Sequence, residues 1–292
     1  MSRSTFRMGR VGRADDPAQL FTGTVVVVAP HMDDEVLACG GLVALLPDKE
    51  RIHFVFATDG MRSPAPVLPW RDAIATDLGT LREEESRRAA RKLGLPDGNT
   101  HFLRLPEAEL PTHALELERV LEGRLRSLDP EHVLIPFRYD RHLDHLAVRD
   151  SVRRLRRAGA IRAVLTEYFV YYRWRLLPGG DVRAHLRPEH LISVDIETVA
   201  RLKREALGCF TTQTTLFYDW QTRPILRPEL LDEECVGPEV FLRCPDGLRD
   251  SELFSGRVPV TWIRIAHRVE PKLVKWKYLL KSTLLRGLGR GA

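Results

Sequence analysis

The stretch VVVVAPHMDDEVLACGG (residues 25–41) decides the fold of this chain. Its first five residues are apolar and mostly β-branched, which is typical of a strand buried on both faces of a parallel sheet. The residues after it, 34–46, have helical spacing, and the pair Gly40–Gly41 would allow this helix to pack closely on the sheet. Between strand and helix the chain crowds together one imidazole and three carboxylates: His31, Asp33, Asp34 and Glu35. Ligands of open α/β sheets bind beyond such strand ends, so this junction is the first candidate site.

Strand-like and helix-like segments alternate along most of the remaining chain. Further strands are predicted at residues 52–58, 100–105, 132–137 and 163–172, and helices at residues 81–94, 114–128, 146–157 and 198–208. This alternation predicts an α/β fold with a doubly wound, mostly parallel sheet, helices on both faces and a less regular C-terminal part. We expect an N-terminal extension at residues 1–22, a single domain at 23–265 and a basic tail at 266–292.

The composition of the chain indicates a globular protein. The chain has 292 residues, with 45 basic against 40 acidic side chains and a net charge of +5, which is ordinary for a globular protein. Its 4 cysteines are far apart in sequence, which argues against a thiolate zinc site or a disulfide framework. Because neither a signal peptide nor an apolar run of membrane-spanning length is evident, we expect a cytoplasmic protein.

A second polar cluster, PFRYDRHLDH (residues 136–145), follows another predicted strand. Parallel strands bring such clusters to one edge of the sheet, so His145 could join His31 and Asp34. Two imidazoles and one carboxylate, with a fourth position left for water, are typical of a catalytic zinc site. The alternative to a metal site is a structural role, in which the acidic residues cap the next helix and the second cluster is a polar loop.

The neighbouring polar residues supply the other roles that such a site needs. Asp33 is the candidate general base, and His142 could stabilise an oxyanion or protonate a leaving amine. Asp140 and Asp144 are the candidate partners that fix the tautomers of the metal-binding imidazoles.

The two clusters resemble the signature motifs of the PIG-L/LmbE-like family of zinc-dependent N-deacetylases. The motifs are APHMDDE followed by GG, and P…D-R-H-L-D-H more than a hundred residues later, within a resemblance that spans about residues 25–241. The resemblance implies a Rossmann-like fold. It also implies zinc ligands at His31, Asp34 and His145, a general base at Asp33 and a catalytic histidine at His142.

The same resemblance implies two substrate-binding residues, Arg82 and Glu107. Arg82 lies in the segment LREEESRRAARKLG, and the alternative for it is a solvated or salt-bridged helix residue. Glu107 stands where an aspartate is common in the family. Two further departures are Met32 in place of proline and Thr212 in place of serine.

The function implied is a metal-dependent hydrolase that removes an N-acetyl or other N-acyl group from an amino sugar or its conjugate. Zinc-bound hydroxide would attack the amide, and another divalent ion could replace zinc. Alternatives are an amidase on another acylated amine conjugate, or a basic binding protein with a non-catalytic metal site, associated with membrane or nucleic acid. Nucleic acid is the weaker partner, because the arginines in RRLRRAG (residues 153–159) also fit the exposed face of a helix.

The C-terminal segment at residues 271–291 is a separate signal. It contains lysines and arginines among apolar residues and no acid, and one helical stripe holds Leu273, Trp276, Leu280 and Leu284. This pattern predicts peripheral contact with an anionic membrane, and the alternative is a helix docked on its own domain.

Overall fold

The computed structural model describes residues 15–64, 77–245 and 247–269. Its centre is a seven-stranded sheet in the order β3-β2-β1-β4-β5-β7-β6. The strands are β1 Val25–Ala29, β2 Ile52–Thr58, β3 Thr100–Leu105, β4 His132–Pro136, β5 Val164–Tyr168, β6 Leu191–Val194 and β7 Glu239–Arg243. The first five strands are parallel, and β7 pairs antiparallel with both β5 and β6. The predicted mostly parallel α/β sheet is confirmed.

Helices cover both faces of this sheet because alternate residues of the central strand enter two separate apolar cores. Val25 and Val27 belong to one core, and Val26 and Val28 belong to the other. The helices are α1 Pro17–Leu20, α2 Asp34–Leu45, α3 Leu78–Lys92, α4 Ala114–Leu128, α5 Leu143–Arg157, α6 Ala200–Leu207, α7 Thr211–Thr214, α8 Pro228–Glu234 and α9 Asp250–Leu253. A further helix occupies residues 260–269.

The chain order places a topological switch point between β1 and β4. The chain runs from β1 outward through β2 and β3, then returns to place β4 on the other side of β1. The two strands pair in parallel, with Val25 opposite His132 and Val27 opposite Leu134. Their carboxyl ends therefore open a crevice at one edge of the sheet, where the two polar clusters begin.

Two element boundaries differ from the sequence-based expectation in ways that matter for the site. Helix α5 begins at Leu143 rather than at 146, because the His142 side chain caps it by accepting the Asp144 backbone N–H. This change moves His145 from a loop into the first turn of a helix. Strand β5 ends at Tyr168 rather than at 172, and its pairing with β7 also ends there.

Both predicted terminal segments contact the body of the protein where they are described. Asp15 exchanges hydrogen bonds with the backbone of Ser193, and Phe21 is buried in the core. At the other end, Ile263 and Ala266 are buried in a third apolar cluster. The basic segment at residues 271–291, with its predicted membrane contact, lies outside the described residues, so that role stays a prediction.

The helices of the described part of the chain are too short or too polar for a bilayer: none combines the length and hydropathy that crossing a membrane requires.

Candidate metal centre

The loops after β1 and β4 bring three side chains of the two polar clusters together. The Nδ1 atom of His31 lies 3.2 Å from Oδ2 of Asp34 and 3.2 Å from Nε2 of His145. The third side of this triangle, from Asp34 Oδ2 to His145 Nε2, is 3.1 Å. His145 and Asp34 are separated by more than a hundred residues in sequence, so the parallel pairing of β1 with β4 creates this contact.

These three distances fit a tetrahedral metal site. Ligands about 2.0–2.1 Å from a zinc ion at tetrahedral angles lie about 3.3 Å from one another. The triangle formed by His31, Asp34 and His145 is nearly equilateral, and its sides come close to that value. One ion above its plane could contact all three atoms, and one tetrahedral position would remain open.

The second ring nitrogen of each imidazole faces a buried carboxylate. His31 Nε2 lies 3.1 Å from Asp144 Oδ2, and His145 Nδ1 lies 3.1 Å from Asp140 Oδ2. A carboxylate in this position holds the proton on the outer nitrogen, which leaves the inner nitrogen free to bind a metal. Asp140 and Asp144 therefore lie where the sequence predicts tautomer-fixing partners.

Asp144 is itself anchored by the backbone of a neighbouring loop. Its Oδ2 accepts the N–H of Ala108 at 2.7 Å, and its Oδ1 accepts the N–H of Leu110 at 3.1 Å. The carboxylate is fully buried. It therefore cannot rotate away from His31 without leaving two backbone donors unpaired.

The cluster favours positive charge. Burial alone would lower the pKa of His31. The contacts of its ring with Asp144 and Asp34 raise the pKa by more, so that it reaches about 9. Burial raises the pKa of Asp34, yet the facing His145 and His31 hold that pKa well below its usual range. Carboxylates that stay ionised around two imidazoles make an electrostatic environment suited to a cation.

Asp33 occupies an unusual backbone conformation between the strand and α2. Its φ of 139° is in a region that non-glycine residues rarely adopt, and the Glu35 carboxylate accepts its N–H at 2.9 Å. Burial, reinforced by repulsion from Asp34 and opposed by Arg82, raises the pKa of Asp33 to about 7. Backbone strain of this kind costs about 1–3 kcal/mol and is typical of functional sites.

His142 lies at the more open side of the cluster. Its side chain is 36% exposed, and its ring centroid is 4.6 Å from that of His31. Its Nδ1 accepts the Asp144 backbone N–H at 3.2 Å, so Nε2 carries the proton in the neutral ring. Burial and the neighbouring imidazoles lower the pKa of His142 to about 4.

His142 is also a geometric candidate for metal binding. Within the described part of the chain, one nitrogen from each of His31, His142 and His145 lies within 4.8 Å of the others. This spacing is looser than the 3.1–3.2 Å triangle that includes Asp34. The structure therefore offers two overlapping donor sets, and the tighter one is the set expected from the sequence.

The two predicted substrate-binding residues are buried. Arg82 is 1% exposed, and its guanidinium donates to the Met32 carbonyl at 2.7 Å and lies 3.9 Å from Asp33. It also lies 3.5 Å from Glu107, whose other carboxylate oxygen accepts the Arg62 backbone N–H. These contacts match the salt-bridged alternative for Arg82, so a direct contact with substrate stays a prediction for both residues.

One residue at the site had only a weak signal in the sequence. The ring of Tyr171 stacks on His142 with a centroid distance of 6.2 Å and an interplanar angle of 21°. It also lies 5.3 Å from the ring of His145 and is 39% exposed. It belongs to the aromatic and basic segment YYRWRLLPGG (residues 171–180).

Thr212 connects the C-terminal part to helix α3, and Gln213 connects it to the loop that precedes residue 65. Thr212 donates through its N–H and its hydroxyl to Glu85, at 2.7 and 2.6 Å. Gln213 is fully buried and donates to the Ser63 carbonyl at 2.9 Å. The hydroxyl of Thr212 is used for this hydrogen bond, and a serine at the same position would also carry a hydroxyl donor.

The fold and the three-ligand geometry define an α/β protein with a candidate catalytic metal centre at its topological switch point. Residues 26–155 match the model of the family PIG-L, described as GlcNAc-PI de-N-acetylase. The matched segment contains His31, Asp34 and His145, so the candidate centre lies within a stretch that is similar to the PIG-L family domain. The resemblance found in the sequence is confirmed.

Comparison with known proteins gives one curated relative and solved structures of the same fold. The chain is 29% identical over 227 residues to 2'-N-acetylparomamine deacetylase of Streptomyces fradiae, covering 69% of this chain and 79% of that protein. The zinc-inhibited form of teicoplanin deacetylase Orf2 matches with a TM-score of 0.57 and 16% identity, over 77% of this chain and 100% of that one. N,N'-diacetylchitobiose deacetylase from Pyrococcus horikoshii matches with a TM-score of 0.52 and 21% identity, over 70% of this chain and 75% of that one.

Proposed function

We propose that this protein is a metal-dependent N-deacetylase that removes an acetyl group from the nitrogen of an amino sugar or amino-sugar conjugate. The observation that carries the proposal is the triangle of His31, Asp34 and His145, with sides of 3.1–3.2 Å, inside a PIG-L domain. The substrate class is supported by the relative named 2'-N-acetylparomamine deacetylase.

His31, Asp34 and His145 would hold the metal. The set fits a zinc ion because it combines two imidazoles with one carboxylate and leaves a position open. When bound, the ion would polarise the amide carbonyl and make a water molecule more acidic. Zinc is the proposed ion, and the same donors also suit other divalent transition metals.

Asp33 is the proposed general base. It directly precedes the proposed ligand Asp34 in the strained turn, and repulsion from Asp34 contributes to the raised pKa of its carboxyl group. A base near neutrality can both accept a proton from water and return it, and the raised pKa of about 7 suits Asp33 to that role. Arg82, 3.9 Å away, would limit how far the carboxylate can rotate.

His142 is the proposed oxyanion donor. Because its Nδ1 accepts the Asp144 N–H, its Nε2–H is free to donate to the oxygen that becomes negative when water attacks the amide. The leaving amine would take the proton that Asp33 had accepted from water. Its partial exposure leaves room for a substrate beside it, with Tyr171 as the neighbouring wall.

The proposal is tested by measuring acetate release from a panel of N-acetylated amino sugars and amino-sugar conjugates. We expect turnover by protein supplied with Zn²⁺, loss of turnover after chelation, and recovery when the ion is returned. N-acetylated alkylamines without a sugar serve as the matched control and should react much more slowly. Equal rates on both classes would favour the broader amidase alternative, and absence of metal binding would contradict the proposed centre.

A further inference from the structure

The last described helix, at residues 260–269, touches the loop that supports the metal centre. The Nε2 atom of His267 lies 2.8 Å from the backbone carbonyl oxygen of Asp140. A carbonyl can only accept, so the imidazole donates this hydrogen bond. The helix lies far beyond the residues that match the PIG-L family model, which end at 155.

The ring of His267 is held in place by two aromatic neighbours. Tyr139 meets it edge to face, with centroids 5.2 Å apart and an interplanar angle of 84°. Trp174 stacks on it at 5.7 Å and 30°. Contacts on two sides restrict the rotation of the imidazole, so its N–H points in a fixed direction.

The same helix has a second attachment to this loop. Arg264, three residues before His267, donates to Asp250 at 3.0 Å, and the Tyr139 hydroxyl donates to the same carboxylate at 2.6 Å. The helix therefore fixes Asp140 directly and Tyr139 through Asp250. Tyr139 and Asp140, two consecutive residues of the loop, are thus held by residues that lie beyond the segment matched by the family model.

Asp140 passes this constraint to both histidines of the second polar cluster. Its Oδ2 lies 3.1 Å from His145 Nδ1, and its Oδ1 accepts the His142 backbone N–H at 2.8 Å. The carboxylate is buried, so its direction depends on where the main chain of residue 140 is held. A shift of that main chain would turn the ring of the proposed ligand His145.

We propose that His267 is a positioning residue for the metal centre: by holding the Asp140 carbonyl, it orients His145 for metal binding. The inference rests on the proposed function, since it assumes that His145 is a ligand. Outer hydrogen-bond partners of metal-binding histidines fix ring orientation, and their loss costs about 10–100-fold in metal affinity. His267 acts one step further out, so we expect an effect near the lower limit.

The test compares two substitutions of His267 in the full chain by competition for Zn²⁺ with a chromogenic chelator. His267→Phe keeps an aromatic ring between Tyr139 and Trp174 but removes the donor, and it should raise the zinc dissociation constant about tenfold. His267→Gln places an amide N–H near the former Nε2 and should restore most of the affinity. The spectrum of the Co²⁺-substituted protein should change in the Phe variant as the ligand geometry loosens.

His190 offers a matched control. Its Nε2 also donates to a backbone carbonyl, that of Glu252 at 3.1 Å, but it has no contact with the metal cluster among its hydrogen bonds in the described residues. His190→Phe should leave the zinc dissociation constant unchanged while altering global stability about as much as His267→Phe. This comparison separates a positioning role from general destabilisation.

Each outcome decides the inference. Zinc affinity equal to the wild type in a folded His267→Phe protein would overturn it. Should that variant fail to fold, Arg264→Gln loosens the same helix by removing the ion pair between the exposed Arg264 side chain and Asp250. It should weaken zinc binding about threefold, again below the range for direct outer partners, and an unchanged affinity would overturn the inference. A wild-type chain that binds no zinc would instead refute the proposed metal centre, and this inference with it.

Discussion

Two clusters of buried charge contact the same helix, α2, and they differ in what they leave unpaired. At its N-terminus, His31, Asp34 and His145 point three donor atoms at one place. Further along, Lys203 and Glu239 pair with each other at 2.8 Å. Both clusters are almost completely inaccessible to solvent. Burial of charge alone therefore does not identify a site in this protein.

Lys203 and Glu239 also form hydrogen bonds with the backbone of α2. Lys203 donates to the Leu37 carbonyl at 2.8 Å, and Glu239 accepts the N–H groups of Gly41 and Leu42, each at 2.7 Å. Every charge has a protein partner, so nothing remains for a ligand. In the histidine cluster the inner donor atoms face one another, which is favourable only when a proton or a cation lies among them.

The largest difference between the clusters should follow from removing a ligand. His31→Ala deletes one corner of the metal triangle, so the purified protein should lose nearly all bound zinc and its deacetylase activity. The loss of affinity should exceed the roughly 10–100-fold that outer partners are worth. Metal content by mass spectrometry checks this, with Lys203→Met as the matched change in the other cluster. Full zinc occupancy in the alanine variant would contradict the ligand assignment.

Asp33→Asn separates chemistry from metal binding within the first cluster. The amide cannot accept a proton, so kcat should fall by about 10²–10⁴-fold while zinc content stays at the wild-type level. Steady-state rates and metal content, measured on the same sample, test both halves. A variant that loses its zinc would instead indicate that Asp33 helps to hold the ion.

Lys203→Met breaks the ion pair and leaves Glu239 as an uncompensated buried charge. Removing one partner of such a pair costs about 3–5 kcal/mol, so the free energy of unfolding in urea should fall by that amount. The folded fraction should still bind one zinc ion per chain, because no donor of the metal triangle is touched. A loss of zinc stoichiometry in folded protein would show that the two clusters are coupled through α2.

Gly41→Ala should have the smallest effect and tests how closely the helix approaches its neighbours. A Cβ at this position would lie 2.4 Å from Ile196 Cγ2 and 2.9 Å from Glu239 Oε1. Relieving such overpacking costs about 1–3 kcal/mol of stability. Gly123→Ala on α4, where a Cβ would meet nothing within 4 Å, is the matched control and should be neutral or slightly stabilising. Similar stability losses in both variants would point to a general effect of helix substitution.

Local patterns predicted much of this fold. The strand at residues 52–58 and the helix at 114–128 are found with the expected bounds. Helix α5 begins earlier than expected because a histidine caps it, and histidine is not among the usual capping residues. The antiparallel strands β6 and β7 lie in the C-terminal part, where short strands and loops give little periodicity to read.

The proposed ligand residues could be named from the sequence because the two motifs that carry the family resemblance place them in two short segments. The burial of Arg82 could not, since a helix residue with its charge is ordinarily solvated. The contact of His267 with Asp140 also lacked any sequence signal, because it joins residues 127 positions apart through a single hydrogen bond.

The alternating α/β architecture and the two polar clusters at the strand ends could be predicted from the amino-acid sequence, because strand and helix periodicities and short motifs are local properties. The position of β4 beside β1, and the triangle of His31, Asp34 and His145 that depends on it, became known from the folded structure. The same packing buries Arg82 and brings His267 of the helix at residues 260–269 against the carbonyl of Asp140. These contacts join distant segments, and their geometry depends on how the sheet is ordered rather than on any pattern within one segment.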